Sequence, residues 1–387
     1  MGHDRMSGRA RRRRVAVVTG TRAEYGLLRS TLRAIREHAK LELRLVATGA
    51  HLLHKFGRTI RDIEADGFTI DARIPMQRGR DDALDAAEGV ARGVRGIGHF
   101  LVREECDVVL VLGDRIEAFA GAVAGITTGR CVAHVHGGDR APGDIDDALR
   151  HAITKLAHLH FPATRRSAQR ILRLGEARNR VFPVGAPGLD ELRDAARMRR
   201  RRRGQSGEAL IVQHPSGRGA LEERRAAEAV LDAVRACGLR RTIVYPNSDR
   251  GHDGVIDAIR RHVAQSPSDE VVVHRSMPRD DLAAALARAD VLIGNSSSGV
   301  IEAPYVGVPS VNVGRRQQGR EPGGRSVLNC GEECEIIQRT IRRALRLAVR
   351  PGTKTAYGDG RTGLRIAARL AALNLGPRFR LNKLNTY

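Results

Sequence analysis

The stretch VVTGTRAEYGLL, residues 17–28, decides the fold. An unbroken apolar run enters a tight turn and leaves it as a helical pattern. That is how a buried strand hands over to the helix that crosses back over a parallel sheet. The turn has no glycine-rich phosphate cradle. Gly20 is followed by Thr21, Arg22, Ala23 and Glu24, where a dinucleotide-binding turn places G-x-G-x-x-G. Arg22 offers a fixed bidentate cation in place of close backbone approach.

Outward from this turn, strands and helices alternate. VAVVTG (15–20) is the first strand, and the helix after it carries Leu27, Leu28, Leu32 and Ile35 on one face. LRLVATG (43–49), DVVLVLGD (107–114), CVAHVHGGD (131–139) and LHFPAT (159–164) continue the series. The pattern restarts with ALIVQHP (209–215), TIVYPNSD (242–249), EVVVHRS (270–276), ADVLIGN (289–295) and PSVNVG (309–314). Such units force parallel sheets covered on both faces. The expected class is α/β: two doubly wound, Rossmann-like domains in tandem, resembling the GT-B architecture with its site in the interdomain cleft. The expected divisions are a basic tail (1–14), an N-terminal domain (15–186) and an arginine-rich linker (187–207). A C-terminal domain (208–365) and a tail (366–387) follow.

A chain of 387 residues fits two domains, and with aromatics at 3% their cores must be aliphatic. The formal net charge of +23 raises nucleic acid as a partner. Eleven of those charges lie in RARRRR (9–14) and RMRRRRR (197–203), no aromatic stacking surface accompanies them, and lysine is scarce. They read as solvated tail and linker, so no nucleic acid is expected. No apolar run reaches the roughly 20 residues that span a bilayer, and no signal-peptide apolar segment precedes the first strand. Five scattered cysteines without a zinc spacing point to reduced thiols in a cytoplasmic protein.

In open α/β sheets ligands gather at the carboxyl ends of strands. Arg22 follows the first strand; Asp114 and Arg115 follow VVLVLG; His136 and Asp139 close CVAHVHGGD. His214 follows ALIVQ, Asn247 and Asp249 follow TIVYP, and Asn295 with three serines follows ADVLIG. In GNSSSGVIEAP (294–304) a helix is expected to start near Gly299. Its backbone N–H groups and positive end suit an anion, to which serine hydroxyls add donors. An N-cap by Ser297 or Ser298 is the plain alternative. A cap needs one serine, so three in a row point to phosphate. Glu302, a turn further on, is placed to accept from ribose hydroxyls. GDIDDALRHAITKLAHLHF (143–161) reads as a helix burying Leu149, Ile153 and Leu156, with Asp144 as cap. Its spacing sets Asp146 against Arg150 and Asp147 against His151.

GTRAEYGLL, LGDRIEAFAGA, HVHGGD, IDDALRHAITKLAHLHF, QHP, YPNSD, GNSSSGVIEAP and GVPSVNVGRRQQGR, in this order, resemble the hydrolysing UDP-N-acetylglucosamine 2-epimerases of sialic and nonulosonic acid synthesis. The likeness runs from about residue 15 to 345. It implies a GT-B fold using neither metal nor nicotinamide. It implies an anti elimination of UDP to 2-acetamidoglucal, followed by hydration to free N-acetylmannosamine. By resemblance, Arg22, Arg115, His214, Asn247, Ser296, Ser297, Glu302 and Arg316 bind UDP, and Asp114, His136 and Asp146 are catalytic, with Asp139 and Asp147 nearby. The expected partner is a UDP-sugar, with no membrane, in a homo-oligomer (dimer or tetramer).

Three features depart from the better-known members. They carry glutamate where this chain has His136, Gly26 stands where some have a UDP-contacting serine, and HGGDRAPGDIDD is one residue longer than in the animal enzyme. Related bacterial epimerases also show H-x-H-G-G, including ones suited to UDP-2,4-diacetamido-trideoxy sugars. The rival readings are a non-hydrolysing epimerase, a GT-B glycosyltransferase that needs a second substrate, and a UDP-binding protein without turnover.

Overall fold

Arg13–Thr19 forms β1, and its residues Val15 to Val18 have no solvent exposure on either face. That is the position of a central strand in a parallel sheet. The protein is described here by a computed structural model covering residues 11–54, 59–80, 82–140, 145–199, 207–247, 249–376, 379, 383 and 386. β2 (Leu41–Thr48), β3 (Ala72–Ile74), β4 (Val108–Leu112), β5 (Cys131–Val135) and β6 (Leu159–Phe161) join β1 in one parallel sheet, ordered β3-β2-β1-β4-β5-β6. A second parallel sheet holds β7 (Glu208–Val212), β8 (Arg240–Val244), β9 (Val271–His274), β10 (Val291–Gly294), β11 (Ser310–Val313) and β12 (Val327–Cys330). Its order is β12-β11-β10-β7-β8-β9. The two-domain doubly wound fold is as expected. β3 and β12, short edge strands, were not anticipated; β3 holds Arg73 and β12 is mostly only partly buried, so neither shows the unbroken apolar run that marks the inner strands.

Each sheet reverses its strand order once, between β1 and β4 and between β7 and β10. Such switch points open a crevice at the strand carboxyl ends. Arg22 and Asp114 follow β1 and β4; His214 and Asn295 follow β7 and β10.

The domain limits need three corrections. The helix Thr362–Ala372 belongs to the first domain, not to the second domain and tail between which the expected limit at 365 divides it: Ile366, Ala367 and Leu370 pack with Leu28, Leu32 and Ile35 of the Arg22–Glu37 helix. Asp190 holds its start, accepting from the backbone N–H of Thr362 (2.9 Å) and Gly363 (2.7 Å). Arg13 and Arg14 are not tail: both lie in β1, where Arg13 donates to the Leu373 carbonyl (2.6 Å) and Arg14 to that of Glu104 (2.9 Å). In the linker, Pro187–Leu192 is a 3-10 turn and Arg193–Met198 a helix, with Leu189, Leu192 and Ala196 buried among second-domain residues. Residues 1–10 and 200–206 lie outside the described residues; they take in Arg9 of the first arginine run and Arg200 to Arg203 of the second.

The expected helix over 143–161 is shorter. It runs Asp146–Leu156 and gives way to β6, and Asp144 lies outside the described residues. Ile153 is buried, while Leu149 and Leu156 are only half-buried. Among the described residues no helix is long and apolar enough to cross a membrane, no two cysteines are bridged, and no group of three or more acidic, histidine or cysteine side chains could hold a metal.

Candidate active site

His136 ends β5 in the left-handed region, at φ +63°. Few non-glycine residues sit there without help from their surroundings. Its N–H donates to the Phe161 carbonyl (3.1 Å) and its carbonyl accepts from Arg150 Nη1 (3.1 Å), so both neighbouring peptides are pinned. Gly138 then turns the chain at φ +72°, where a Cβ would lie 2.2 Å from the Ser167 carbonyl oxygen. Only glycine fits.

The ring is fixed from one side. Nδ1 of His136 sits 3.0 Å from Oδ2 of Asp139, and Ser167 donates to Oδ1 at 2.7 Å. Arg320, from the second domain, approaches Oδ2 to 3.5 Å. Burial alone would raise the Asp139 carboxyl, but the His136 ring, Arg320 and the Ser167 hydroxyl outweigh it and hold the group below its usual range. An ionised Asp139 keeps a proton on Nδ1 and turns the lone pair toward Nε2. Nε2 is buried and has no partner among the described residues.

Asp114 follows β4 and is ion-paired with Nη2 of Arg150. Arg150 is 4% exposed and needs charge partners inside, which Asp114 supplies; Asp146 is exposed at the first turn of the same helix. His134, also buried, sits with Nε2 2.8 Å from the Gly113 carbonyl and Nδ1 3.2 Å from the Thr154 hydroxyl. Burial pushes its ring down to about 3, so it is a neutral brace for the turn before Asp114. Asp147 lies 3.8 Å from His151, as its spacing predicts.

Arg22 opens the first helix, bound to Asp62 (2.9 Å) and reaching the second domain at Ser276 Oγ (2.9 Å). Arg115 is half-exposed, 3.6 Å from Glu117. At the same strand ends, Glu24 accepts from the Gly20 N–H (2.8 Å) and Glu117 from Gln77 (2.8 Å). Burial, opposed by the Gly20 N–H and reinforced by Glu117, pushes the Glu24 carboxyl up to about 8.

On the second domain Asn295 knits three loops. Its Oδ1 accepts from the His214 N–H (2.7 Å), its Nδ2 donates to the His214 carbonyl (2.8 Å), and its own carbonyl accepts from Gln317 (2.8 Å) and Arg316 (3.4 Å). Nδ1 of His214 accepts from the Asn247 N–H (3.1 Å), so a ring proton resides on Nε2. Burial, then Arg316, push this ring down to about 3. Arg316 also lies 3.7 Å from Asp249. The short helix starts at Ser297, not Gly299, and its cap is Ser296, whose hydroxyl accepts from the Ser298 N–H (3.3 Å). Glu302 closes that helix and is bound by Arg279 (2.8 Å).

All thirteen expected residues therefore fall at strand ends or on the helices those ends open. The first-domain catalytic candidates divide: Asp114, His136 and Asp139 share one hydrogen-bonded cluster, and Asp146 and Asp147 stand on the adjoining helix. Sequence reasoning missed Ser167, Arg279 and Arg320, none of which sits directly after a strand. It singled out Arg150 by its helical spacing from Asp146 but not its pairing with Asp114, for which its place on the core face of the Asp146–Leu156 helix was the available signal.

The family model described as UDP-N-acetylglucosamine 2-epimerase matches residues 33–371. This chain belongs to the UDP-N-acetylglucosamine 2-epimerase family. It is 35% identical over 384 residues to the hydrolyzing UDP-N,N'-diacetylbacillosamine 2-epimerase of Legionella pneumophila, covering 97% of this chain and 100% of that one. It is 30% identical over 357 residues to the UDP-N-acetylglucosamine 2-epimerase of Neisseria meningitidis, covering 90% and 92%. A solved structure of UDP-GlcNAc 2-epimerase from Neisseria meningitidis bound to UDP-GlcNAc shares the fold. Its TM-score is 0.75 at 16% identity, over 92% of this chain and 99% of that one. The chain is thus an epimerase-family enzyme of GT-B-like architecture.

Proposed function

We propose that this enzyme is a hydrolysing UDP-sugar 2-epimerase whose favoured substrate is UDP-N,N'-diacetylbacillosamine, a 2,4-diacetamido-2,4,6-trideoxy sugar. One observation carries the chemistry: a buried imidazole with a free Nε2, oriented by an ionised carboxylate, at the switch-point crevice facing a second Rossmann-like domain. His136 removes the proton at C2 as the C1–O bond to UDP breaks, which gives a 2-acetamidoglycal. Asp114, ion-paired with Arg150, stabilises positive charge developing at C1. Water then adds its oxygen to C1, C2 is reprotonated on the opposite face, and the free 2-epimer leaves with UDP. Asp146, exposed at the start of its helix, is the candidate for that returning proton. Asp139 is buried behind His136 and orients it.

Arg22, Arg115, Arg316 and the Ser296–Ser297 loop form the diphosphate clamp. Neutral His214 offers Nε2–H as a donor, Asn247 lies beside it, and Glu302 takes the ribose. The names of the Legionella relative and of a 29% identical Campylobacter jejuni relative, a hydrolyzing GDP/UDP-N,N'-diacetylbacillosamine 2-epimerase, favour the diacetamido sugar and hydrolysis. The Neisseria relative supports UDP-N-acetylglucosamine, giving N-acetylmannosamine, as the second reading.

NMR product analysis tests this, with each nucleotide sugar supplied alone. Free 2-epimer plus UDP, formed faster from the diacetamido sugar, is expected. A UDP-linked epimer would identify a non-hydrolysing enzyme. Turnover that appears only with an added acceptor would identify a glycosyltransferase.

A further inference from the structure

Arg279 opens the helix Arg279–Arg288 of the second domain, and its side chain is largely buried. Its two prongs go to different places. Nη1 donates to Oε1 of Glu302 at 2.8 Å, and Nη2 donates to the carbonyl of Gly188 at 2.7 Å, in the turn joining the domains. The next residue, Asp280, is bound to Arg29 on the first helix (3.2 Å), and Arg29 also donates to Glu191 in the joining turn (2.8 Å). The start of the Arg279–Arg288 helix is therefore anchored to the first domain and to the connection at once.

One glycine makes room: a Cβ at Gly188 would lie 2.6 Å from Leu27 Cδ2 and 3.3 Å from Nη2 of Arg279. Glu302 is 6% exposed, yet its Oε2 has no partner among the described residues. A buried carboxylate oxygen without a donor is costly, and a ligand hydroxyl supplies one. With Nη2 held on the Gly188 carbonyl and Nη1 on Oε1, the guanidinium anchors one carboxylate oxygen from a fixed point and leaves Oε2 as the acceptor, which a lone ammonium, unable to reach both groups, would not enforce.

We propose that Arg279 is a positioning residue for nucleotide recognition: it fixes Glu302 so that the second carboxylate oxygen meets the ribose 2′-hydroxyl, and it ties that recognition to the interdomain turn at Gly188. This rests on the reading of Glu302 as the ribose acceptor. Neither Arg279 nor the turn contacts the nucleotide in this scheme. The discrimination between ribose and deoxyribose depends on them because they decide where the carboxylate points.

Calorimetry on the full chain with UDP and with 2′-deoxy-UDP tests it, using wild type, Arg279→Met and Arg279→Lys. Wild type prefers UDP by about tenfold or more, the value of one hydrogen bond to a charged group. In Arg279→Met the ratio falls toward one, chiefly through weaker UDP binding. Arg279→Lys, which cannot hold both Glu302 and the Gly188 carbonyl, lies between. An unchanged ratio in Arg279→Met, or equal losses for both nucleotides, overturns the proposal. If Arg279→Met does not fold, a full wild-type ratio in Arg279→Lys overturns it. Equal wild-type affinities for the two nucleotides overturn it while leaving the proposed reaction standing. No wild-type binding of UDP overturns the nucleotide reading itself.

Discussion

The two walls of the cleft use different kinds of group. On the first domain, Asp114, Arg150, His136 and Asp139 are charged or titratable groups packed against one another, and Glu24 and Glu117 lie buried at the neighbouring strand ends. On the second, the ends of β7, β8 and β10 are joined through an amide, Asn295, and an imidazole that burial keeps neutral, His214. Charge held in a fixed geometry suits proton transfer, which depends on protonation state. Neutral donors, beside an Arg316 that stays charged, suit binding, which should not change with pH over the working range. The contrast makes the first wall the place where single changes cost most.

His136→Gln breaks the contrast hardest. A glutamine keeps volume and polarity but offers no base, so kcat should fall by about 10²–10⁴-fold. UDP affinity, read by calorimetry, should be unchanged. His136→Glu should recover part of the rate with a displaced pH optimum. Deuterium from solvent at C2 of the product should appear in wild type and not above background in His136→Gln. A His136→Gln enzyme of near wild-type rate would move the proton to Asp146 and leave His136 as scaffolding.

That wall was half legible in the sequence. Strand ends are visible because apolar runs stop there, and the residues at those stops are the ones the structure brings to the crevice. What sequence hid were partners supplied from elsewhere. Arg150 reads from its spacing as a partner of Asp146, and spacing within a helix says nothing about Asp114, which is supplied from the end of β4. Ser167, 28 residues from Asp139, is legible only once β5 and the Arg165–Arg173 helix are packed. The C-terminal helix was misassigned for the same reason: its apolar face gives no hint of which core it joins.

A second test sharpens the contrast through stability. Glu24 is buried with its carboxyl raised to about 8, from an unfolded value of 4.5. Between those values the folded chain holds a proton that the unfolded chain has lost. Stability from this group is fully present below about 4.5 and declines as pH rises toward 8. The loss amounts to a few kcal/mol at most. Glu24→Gln mimics the protonated form and should flatten that slope, so the variant gains on wild type as pH rises from 5 to 8. Urea midpoints at matched pH measure it. Parallel slopes for the two proteins would mean that Glu24 is ionised in the fold and has drawn in a cation.

The smallest effect concerns a charge that the second wall lends to Asp139 on the first. Arg320 lies on the loop after β11, and its Nη1 is 3.5 Å from Oδ2 of Asp139, the oxygen that faces the His136 ring. The loop is docked independently: Arg170 donates to the carbonyls of Gly138 (3.1 Å) and Gly319 (2.7 Å), and Tyr357 donates to that of Glu321 (2.7 Å). Removing the Arg320 charge therefore leaves the docking in place but takes one stabilising cation from Asp139, whose other partners, His136 and Ser167, remain. At 3.5 Å and largely buried, that contact is worth on the order of 1–2 kcal/mol. Arg320→Met should lower kcat by about tenfold, with UDP affinity unchanged, and Arg320→Lys should restore much of the rate because charge, not fork geometry, is what Asp139 uses. Arg170→Met supplies the opposite case: it loosens the docking while the direct Asp139 contacts of His136, Ser167 and Arg320 remain, so KM should rise more than kcat falls. If Arg320→Met instead weakens UDP binding by the same factor as kcat, the arginine serves the diphosphate and the division between the two walls is less complete than their chemistry indicates.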